Sequence, residues 1–269
     1  MRVSFVGGGT MGEAIVSALL NKRVCLREDI RVSDAVETRR QHFQQMHGVF
    51  ATAVNVEAVQ GADVIVLAVK PQNVPEVMAD LAGHVRRGQL VLSIMAGVKI
   101  SALREGLKHD SIVRCMPNTP AQIGEGMTVW TATPEVTEPQ KHSTRSILGV
   151  LGKEVYVDDE KMIDIATAVS GSGPAYFFLF LEALADAAVS IGMPRDMGKQ
   201  LALQTMLGAG HLVDKSGREP ADLRRMVTSK GGTTAEALQV FEEGGFNKLV
   251  ERAVAAAYRR ARILGGDQV

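Results

Sequence analysis

The sequence has few of the features that mark secreted or membrane proteins. Only two cysteines, Cys25 and Cys115, occur among its 269 residues; they are too few for a disulfide framework and are typical of a reducing compartment. The unbroken apolar runs are shorter than the ~20 residues that a membrane-spanning helix needs. The N-terminus carries no cationic leader with a cleavage site. We therefore expect a cytoplasmic protein without a membrane segment.

The sequence also lacks an excess of charge of one sign and any cluster of metal ligands. Thirty basic residues balance thirty acidic ones, so the chain lacks the basic surface that marks a nucleic-acid-binding protein. The six histidines are scattered, and no pair has the helical spacing or the cysteine neighbours of a metal site, so we expect no bound metal. Hydrophobic residues at 46% and charged residues at 22% exclude a wholly disordered chain.

The first half of the chain alternates between strand and helix patterns. Strands are predicted at residues 2–6, 30–33, 63–69, 90–95, 111–115, 127–131 and 154–157, with helices at 11–20, 37–46, 74–81, 100–107 and 137–151. Strands and helices that alternate at these lengths form right-handed βαβ units around a parallel sheet. We expect residues 1–158 to form a doubly wound α/β domain of the Rossmann type.

The strand patterns stop after Asp158. Helices are predicted at residues 159–169, 176–191, 195–215, 220–227, 235–243 and 247–264, which gives an all-helical second domain over residues 159–269. The helix that begins at Tyr176 is apolar around much of its circumference, so it must be buried on several sides. We expect a helical core shared between two copies of the chain in a homodimer.

A glycine-rich turn joins the first strand to the first helix. Gly7, Gly9 and Gly12 form the pattern G-x-G-x-x-G, in which the first glycine allows a tight turn, the second lets the backbone approach a pyrophosphate and the third permits close packing of helix on strand. The amide groups and partial positive charge at the helix start attract phosphates. This context predicts a dinucleotide site, and the alternative is a glycine-rich turn that binds nothing.

Asp34 at the end of the second strand bears on the choice of dinucleotide. Its carboxylate can bond the adenosine ribose hydroxyls and favour NAD, and it repels a 2′-phosphate unless Arg39 or Arg40 compensates. The alternative role for Asp34 is a helix N-cap. The sequence leaves NAD and NADP both open.

Two later buried strands also end in polar segments, A-V-K-P at 68–71 and M-P-N-T-P at 116–120. Ligands in such sheets bind outside the carboxyl ends of the strands, so we expect Lys70 and Asn118 to border the cofactor. A solvated charge at Lys70 and a purely structural turn at Asn118 are the alternatives.

A second candidate site lies before a late helix, in T-S-K-G-G-T-T at 228–234. Thr233 with Glu236 fits the capping box S/T-x-x-E. Such a helix start leaves the amide groups of residues 232–234 available for a small anion, for which a carboxylate is the natural candidate. The alternative is ordinary helix capping without a ligand.

These segments together resemble the pyrroline-5-carboxylate reductase family. The resemblance rests on V-G-G-G-T-M-G-E-A-I at 6–15, A-V-K-P-Q at 68–72, R-C-M-P-N-T-P at 114–120, A-V-S-G-S-G-P-A-Y-F-F at 168–178 and T-S-K-G-G-T-T-A-E-A-L at 228–238. They span essentially the whole chain in the family's order. The chain has Lys230 where the family usually has proline, which bears on the stiffness and charge of this loop and hence on substrate affinity.

The resemblance implies an NAD(P)H-dependent reduction of L-Δ1-pyrroline-5-carboxylate to L-proline, the last step of proline biosynthesis, with NADP as the expected cofactor and NAD still open. It implies dimers through the C-terminal helices, often joined into decamers. Thr234 is the expected catalytic residue, with its hydroxyl beside the ring nitrogen of the substrate. The expected substrate contacts are Ser229, Gly232, Thr233 and Thr234; with Asp34, the expected cofactor contacts are Gly7, Gly9, Thr10, Met11, Gly12, Asn55, Ala68, Lys70, Pro71 and Asn118.

Two other functions are weighed against this one. A dehydrogenase of 3-hydroxy acids has the same two-domain plan but places a catalytic lysine one turn into the helix after a glycine-rich loop, whereas here no lysine lies between Gly173 and Lys199. A non-catalytic NADPH-sensing protein would keep the glycines of the first domain and would have no need for the G-G-T-T segment.

Overall fold

The computed structural model describes residues 1–267, so Gln268 and Val269, the last two residues of the expected second domain, lie outside the described part. An eight-stranded sheet has the order β3-β2-β1-β4-β5-β6-β7-β8. The first six strands are mutually parallel, which is the doubly wound arrangement expected from the alternation of strands and helices. The strands are β1 (Val3–Val6), β2 (Ile30–Ser33), β3 (Phe50–Thr52), β4 (Val64–Leu67), β5 (Leu90–Ser93), β6 (Ile112–Met116), β7 (Gly126–Ala132) and β8 (Gly152–Tyr156).

The sheet departs from the predicted pattern at two places. The sequence pattern missed β3, which has only three residues and lies at the edge of the sheet with Phe50 exposed. The strand β7 runs antiparallel to β6, because residues 117–125 are too few for the crossover that a parallel neighbour requires. The last pair, β7 and β8, is parallel again and is joined by a helix.

Helices cover both faces of the sheet and continue through the second half of the chain. They are α1 (Thr10–Asn21), α2 (Glu37–His42), α3 (Asn55–Val59), α4 (Val74–Leu81), α5 (Ile100–Leu107), α6 (Glu138–Leu148), α7 (Lys161–Ala166), α8 (Gly173–Ser190), α9 (Arg195–Ser216), α10 (Pro220–Met226), α11 (Thr233–Glu243) and α12 (Phe246–Leu264). Two single π-helical turns, Phe43–His47 after α2 and Thr167–Gly171 after α7, were not predicted.

Two apolar clusters hold the sheet between its helices. One contains Phe5, Trp130 and the buried face of α1, and the other packs α4 and α5 against β4 and β5. Every residue of β4 and β5 is buried, as expected for central parallel strands covered on both faces.

The chain divides into two compact units, Met1–Ser172 with the segment from Ala257 onward, and Gly173–Ala256. The domain boundary was expected near residue 158, directly after the last strand. The division by contacts lies later in the chain, because α7 packs on β6 and β7 and so belongs to the first unit. The end of α12 belongs to the first unit, where a Cβ on Gly97 would lie 2.6 Å from the Cβ of Leu264. Lys99 and Arg262 both form ion pairs with Asp267 there.

The helical unit presents many apolar side chains at its surface. On α8, Phe177, Phe178 and Leu179 are 63%, 57% and 67% exposed. By length and composition alone, the helical stretch Lys161–Ser190 could cross a membrane. The sequence analysis did not expect such a stretch, because it considered only the length of unbroken apolar runs. One such helix is weak evidence for a membrane, because helices in the cores of soluble proteins meet the same criterion.

A buried ion triad ties α7 to the sheet. Arg114 on β6 is 1% exposed and donates to Glu160 Oε1 at 2.7 Å and to Asp164 Oδ1 at 2.6 Å. Glu160 Oε1 also accepts the first amide of α5, from Ile100, at 2.9 Å. One guanidinium therefore links a central strand with the starts of two helices.

Replacing Arg114 with alanine should destabilise the protein by roughly 3–5 kcal/mol, because it leaves the buried Asp164 carboxylate without its cationic partner. The measurement is the free energy of unfolding from urea titration. The matched control is Arg104→Ala, which removes an exposed guanidinium paired with Asp110 and should change stability little. Equal losses in the two variants would contradict the role given to the triad.

Candidate functional site

The glycine-rich turn lies at the carboxyl end of β1, as expected. Gly7 has φ +101°, and a Cβ there would lie 2.7 Å from the carbonyl oxygen of Ala68. A Cβ on Gly12 would lie 2.7 Å from the carbonyl oxygen of Gly7. Both positions therefore exclude a side chain, and α1 starts close against the ends of β1 and β4.

Gly9 differs from these two glycines because the space beside it is open. A Cβ on Gly9 would meet no heavy atom of the described chain within 4 Å, and Gly9, Thr10 and Met11 are at least partly exposed. The first amide groups of a helix have no partner within the helix, so the start of α1 offers accessible donors and a partial positive charge to a phosphate. Open space and free donors are what a pyrophosphate needs.

Gly8, which the sequence analysis did not single out, is also constrained. A Cβ there would lie 2.5 Å from the ring of Phe43, and the Gly8 amide donates to Asp34 Oδ2 at 2.7 Å. The other oxygen of Asp34 accepts the amide of Val36 at 2.8 Å. Asp34 is thus bound to two amides, and the alternative of Asp34 as the N-cap of α2 is wrong because Val36 holds that position.

The two arginines near Asp34 are both bound to backbone carbonyls. Arg39 donates to the carbonyl of Gly8 at 2.6 and 2.8 Å and to Glu13 Oε2 at 2.7 Å. Arg40 donates to the carbonyls of Asp34 and Ala35 at 2.9 and 2.8 Å. The end of β2 therefore carries one carboxylate flanked by two cations.

Asn55 starts α3 beside the end of β2. Its Oδ1 accepts a hydrogen bond from Ser33 Oγ at 2.7 Å, and its Nδ2 donates to Asp80 Oδ2 at 2.9 Å. Ser33 was not anticipated from the sequence. These bonds fix the side-chain amide of Asn55 at the same edge of the sheet as Asp34.

The segment after β4 continues this edge. The Ala68 amide bonds the carbonyl of Val6 at 2.8 Å, so this segment leaves the sheet beside the glycine-rich turn. Lys70 and Pro71 follow and are exposed. The exposure of Lys70 fits both roles weighed for it, a residue that borders the cofactor and a solvated charge.

Asn118 follows β6 and is held by two hydrogen bonds. Its Oδ1 accepts the Met127 amide at 2.9 Å, and its Nδ2 donates to Ser170 Oγ at 3.2 Å. Ser170 lies in the π-helical turn that follows α7 and was not predicted as a partner. The structural role weighed for Asn118 is therefore present, and one amide hydrogen is left for a ligand.

The start of α11 differs from the predicted capping box. Gly232 is the N-cap with extended backbone angles, Thr233 is the first helical residue, and within residues 1–267 no side chain caps this helix. The carbonyl of Gly232 accepts the amides of Ala235 and Glu236 at 3.0 and 3.3 Å. Because the glycine takes the capping position, the amides of Thr233 and Thr234 lie in the first turn, where a helix leaves its donors unpaired.

The four expected substrate residues lie together at this helix start. A Cβ on Gly232 would lie 2.5 Å from Ser229 Oγ, and the Gly232 amide donates to the Ser229 carbonyl at 3.0 Å. Thr234 is partly buried, whereas Ser229 and Thr233 are exposed. The loop therefore combines amide donors with three hydroxyl groups within six residues.

His42 and His47, which have no metal-site spacing in the sequence, lie close together in the structure. Their ring centroids are 5.9 Å apart, and both Nε2 atoms lie within 4.8 Å of a Glu13 carboxylate oxygen. The residues are five apart in sequence, a spacing that does not place them together on an α-helix.

Gly9→Ala should separate binding from folding. Alanine suits the φ of −69° and the open space at this position, so the melting temperature should change little. The added methyl group would obstruct an approaching pyrophosphate, so dinucleotide binding should weaken about tenfold or more. Gly7→Ala, by contrast, should lower the melting temperature, since alanine is strained at φ +101°. Calorimetric titration and thermal melts measure the two effects, and wild-type affinity in Gly9→Ala would contradict this assignment.

Comparison with known proteins matches the two halves of the chain to different family models. Residues 2–97 match a family model described as NADP oxidoreductase, coenzyme F420-dependent, and residues 160–264 match one described as pyrroline-5-carboxylate reductase dimerisation. A pyrroline-5-carboxylate reductase of Synechocystis is 41% identical over 98% of both chains.

Solved structures give the same result. A pyrroline-5-carboxylate reductase of Coxiella burnetii has a TM-score of 0.90 with 35% identity over 98% of both chains. The Plasmodium falciparum enzyme, solved with NADP bound, has a TM-score of 0.89 with 32% identity over 98% of both chains. By sequence and by fold along nearly its whole length, the chain belongs to the pyrroline-5-carboxylate reductase family.

Proposed function

We propose that the protein reduces L-Δ1-pyrroline-5-carboxylate to L-proline with NADPH as the reductant, the last step of proline biosynthesis. The observation that carries this proposal is the pairing of two anion-binding helix starts in one chain. One is the open glycine turn at Gly9, which suits a pyrophosphate, and the other is the start of α11, where Gly232 is the N-cap, which suits a small carboxylate.

The residues at the edge of the sheet fit a dinucleotide. The open face of Gly9 and the amides of Thr10 and Met11 would hold the pyrophosphate, and Gly7 and Gly12 keep α1 close enough for this. Asn55 and Asp34 would approach the adenosine ribose. Ala68, Lys70, Pro71 and Asn118 would border the rest of the cofactor.

The preference for NADPH rests on the charges at the end of β2. Asp34 alone would repel a 2′-phosphate, but its two oxygens are already bound to amides, and Arg39 and Arg40 lie beside it. A family relative was solved with NADP bound. Because both guanidinium groups also hold backbone carbonyls, NADH remains a usable, weaker reductant in this proposal.

The substrate carboxylate would bind to the start of α11. The amides of Thr233 and Thr234 and the hydroxyl of Ser229 would hold it, and the fixed carboxylate would determine which face of the ring accepts hydride. Thr234 would donate a hydrogen bond to the ring nitrogen, which makes the neighbouring carbon more electrophilic. The hydroxyl is too weak an acid to transfer its proton outright, so Thr234 acts by positioning and polarising the imine.

Reduced nicotinamide supplies the hydride when the cofactor is bound. The protein must then align the two reactants to within ~3–3.5 Å. The reduction also adds a proton to the ring nitrogen; because Thr234 keeps its own proton, this one comes from solvent, and no strong base is needed. Cys115, the thiol in the segment before Asn118, does not compete as a nucleophile, since it is buried and desolvation raises the pKa of its thiol.

We further propose a cytoplasmic homodimer formed through the helical unit, with larger assemblies such as a decamer built from dimers. Residues 160–264 match a dimerisation model, and the exposed phenylalanines of α8 offer the apolar surface that a shared core requires. Burial in this interface, in place of a membrane, would account for the apolar helix. Neither a membrane nor a nucleic acid is a partner in this proposal.

The direct test is to mix the purified protein with NADPH and the cyclic imine and to follow the nicotinamide absorbance. We expect stoichiometric NADPH oxidation and formation of proline. Oxidation only with 3-oxo acids would favour a 3-hydroxy acid dehydrogenase, and NADPH binding without turnover of any imine would favour a sensor; either result would overturn the proposal.

Thr234→Ala should lower turnover of the imine roughly 10²-fold, the low end of a general acid–base contribution, because the ring nitrogen loses its hydrogen-bond donor. The Kd for NADPH should stay within a factor of two of wild type. Thr234→Ser keeps the hydroxyl and should restore most of the rate. Wild-type turnover in the alanine variant would rule out this role for Thr234.

A further inference from the structure

Three side chains converge beside the glycine-rich turn without any role in the proposed reaction. Glu13 Oε1, on α1, lies 2.6 Å from His42 Nε2 and 3.5 Å from His47 Nε2. All three atoms lie within 4.8 Å of one another. Two imidazole nitrogens and one carboxylate oxygen are the ligand set of many zinc sites that keep an open position.

The π-helical turn Phe43–His47 creates this arrangement. On an α-helix, residues five apart point about 140° away from each other, so His42 and His47 would lie on different faces. A π turn has i→i+5 hydrogen bonds and brings such residues to the same side. Such turns occur as local insertions in helices, frequently at functional sites.

His47 supplies a second, independent observation. Its Nε2 is buried and has no hydrogen-bond partner among residues 1–267, and its side chain is only 14% exposed. Buried polar atoms in native proteins nearly always have a partner, and an exception calls for a water or an ion. The 3.5 Å separation from Glu13 is too long for a good hydrogen bond but suits two ligands of one metal ion.

We propose that Glu13, His42 and His47 bind a late first-row divalent metal ion of the zinc type. Ligands of a tetrahedral zinc ion lie roughly 3.3 Å apart, given zinc–nitrogen and zinc–oxygen bonds of about 2.0–2.1 Å. His42 would have to move away from Glu13 by less than 1 Å, and it is 36% exposed and free to do so. The remaining position is open to water.

Glu13 is prepared for this role. Arg39 bonds the other oxygen, Oε2, at 2.7 Å and leaves Oε1 for the metal. A partner on the second oxygen orients a ligating carboxylate, although the charge of Arg39 also weakens metal affinity.

The donor set determines which ions bind. Imidazole nitrogen favours zinc, cobalt, nickel and copper, whereas magnesium and calcium prefer all-oxygen sites. Arg39 also donates to the Gly8 carbonyl, so the same side chain contacts both the metal ligand and the dinucleotide turn.

The test is a titration of the tag-free, chelator-treated full-length protein with Co²⁺, followed through its visible absorption. We expect a tetrahedral spectrum at one equivalent per chain, displaced by Zn²⁺ and unaffected by Mg²⁺. His47→Ala and His42→Ala should each weaken binding by at least about tenfold. His84→Ala, which removes an exposed histidine after α4, should bind as wild type does.

The outcome is independent of reductase activity, because no substrate or dinucleotide is present. His42 is partly exposed, so its variant tests the site even where loss of the more buried His47 disturbs folding, which circular dichroism monitors. Absence of the tetrahedral spectrum in the wild type, or equal Co²⁺ affinity in wild type and the folded His42→Ala variant, would overturn the proposal.

Discussion

The close approach of Gly7 to Ala68 is the constraint on which the dinucleotide domain depends. The chain leaves β1 with φ +101° at Gly7, and any Cβ there or at Gly12 would lie 2.7 Å from a main-chain oxygen. Because neither position carries a side chain, α1 begins directly at the edge of the sheet. Its apolar face, Ile15 and Leu19, is then buried against the central strands. The helix packing and the accessible helix start that we propose for the pyrophosphate are therefore consequences of one backbone geometry.

The sequence carries the strongest information where burial is complete. The strands β4 and β5 were predicted because continuous apolar, β-branched runs are typical of strands covered on both faces. The edge strand β3 was missed since three residues with an exposed Phe50 leave no pattern. The apolar–polar alternation of β7 is the same in either strand direction, so it does not predict whether β7 runs parallel or antiparallel to β6. The short connection from β6 determines the antiparallel direction.

The candidate site shows the same division. Topology alone placed Asp34, Lys70 and Asn118 at one edge, because the carboxyl ends of parallel strands meet there. The partners of Asn55 and Asn118 could not be predicted, because Ser33 lies 22 residues from Asn55 and Ser170 lies 52 residues from Asn118. The N-cap of α11 was predicted one residue late, at Thr233 instead of Gly232, because a glycine can occupy the N-cap and leave the threonines in the first turn. The π turns could not be predicted from the sequence, because the spacing of apolar residues does not show where the helical hydrogen bonds change from i→i+4 to i→i+5.

The loop before α11 has a charged residue, Lys230, where the family usually has proline. A proline at position 230 would fix one backbone angle of the loop, whereas here the turn relies on Gly231 with φ +68°. Lys230 in its place is exposed and three residues ahead of the first helical turn. Its cation adds to the partial positive charge of the helix start, so in the proposed reaction it would attract the substrate carboxylate, where a stiffer loop would instead supply ordering. In that proposal Lys230 would exchange pre-organisation for electrostatic attraction and would leave the amide donors of Thr233 and Thr234 in place.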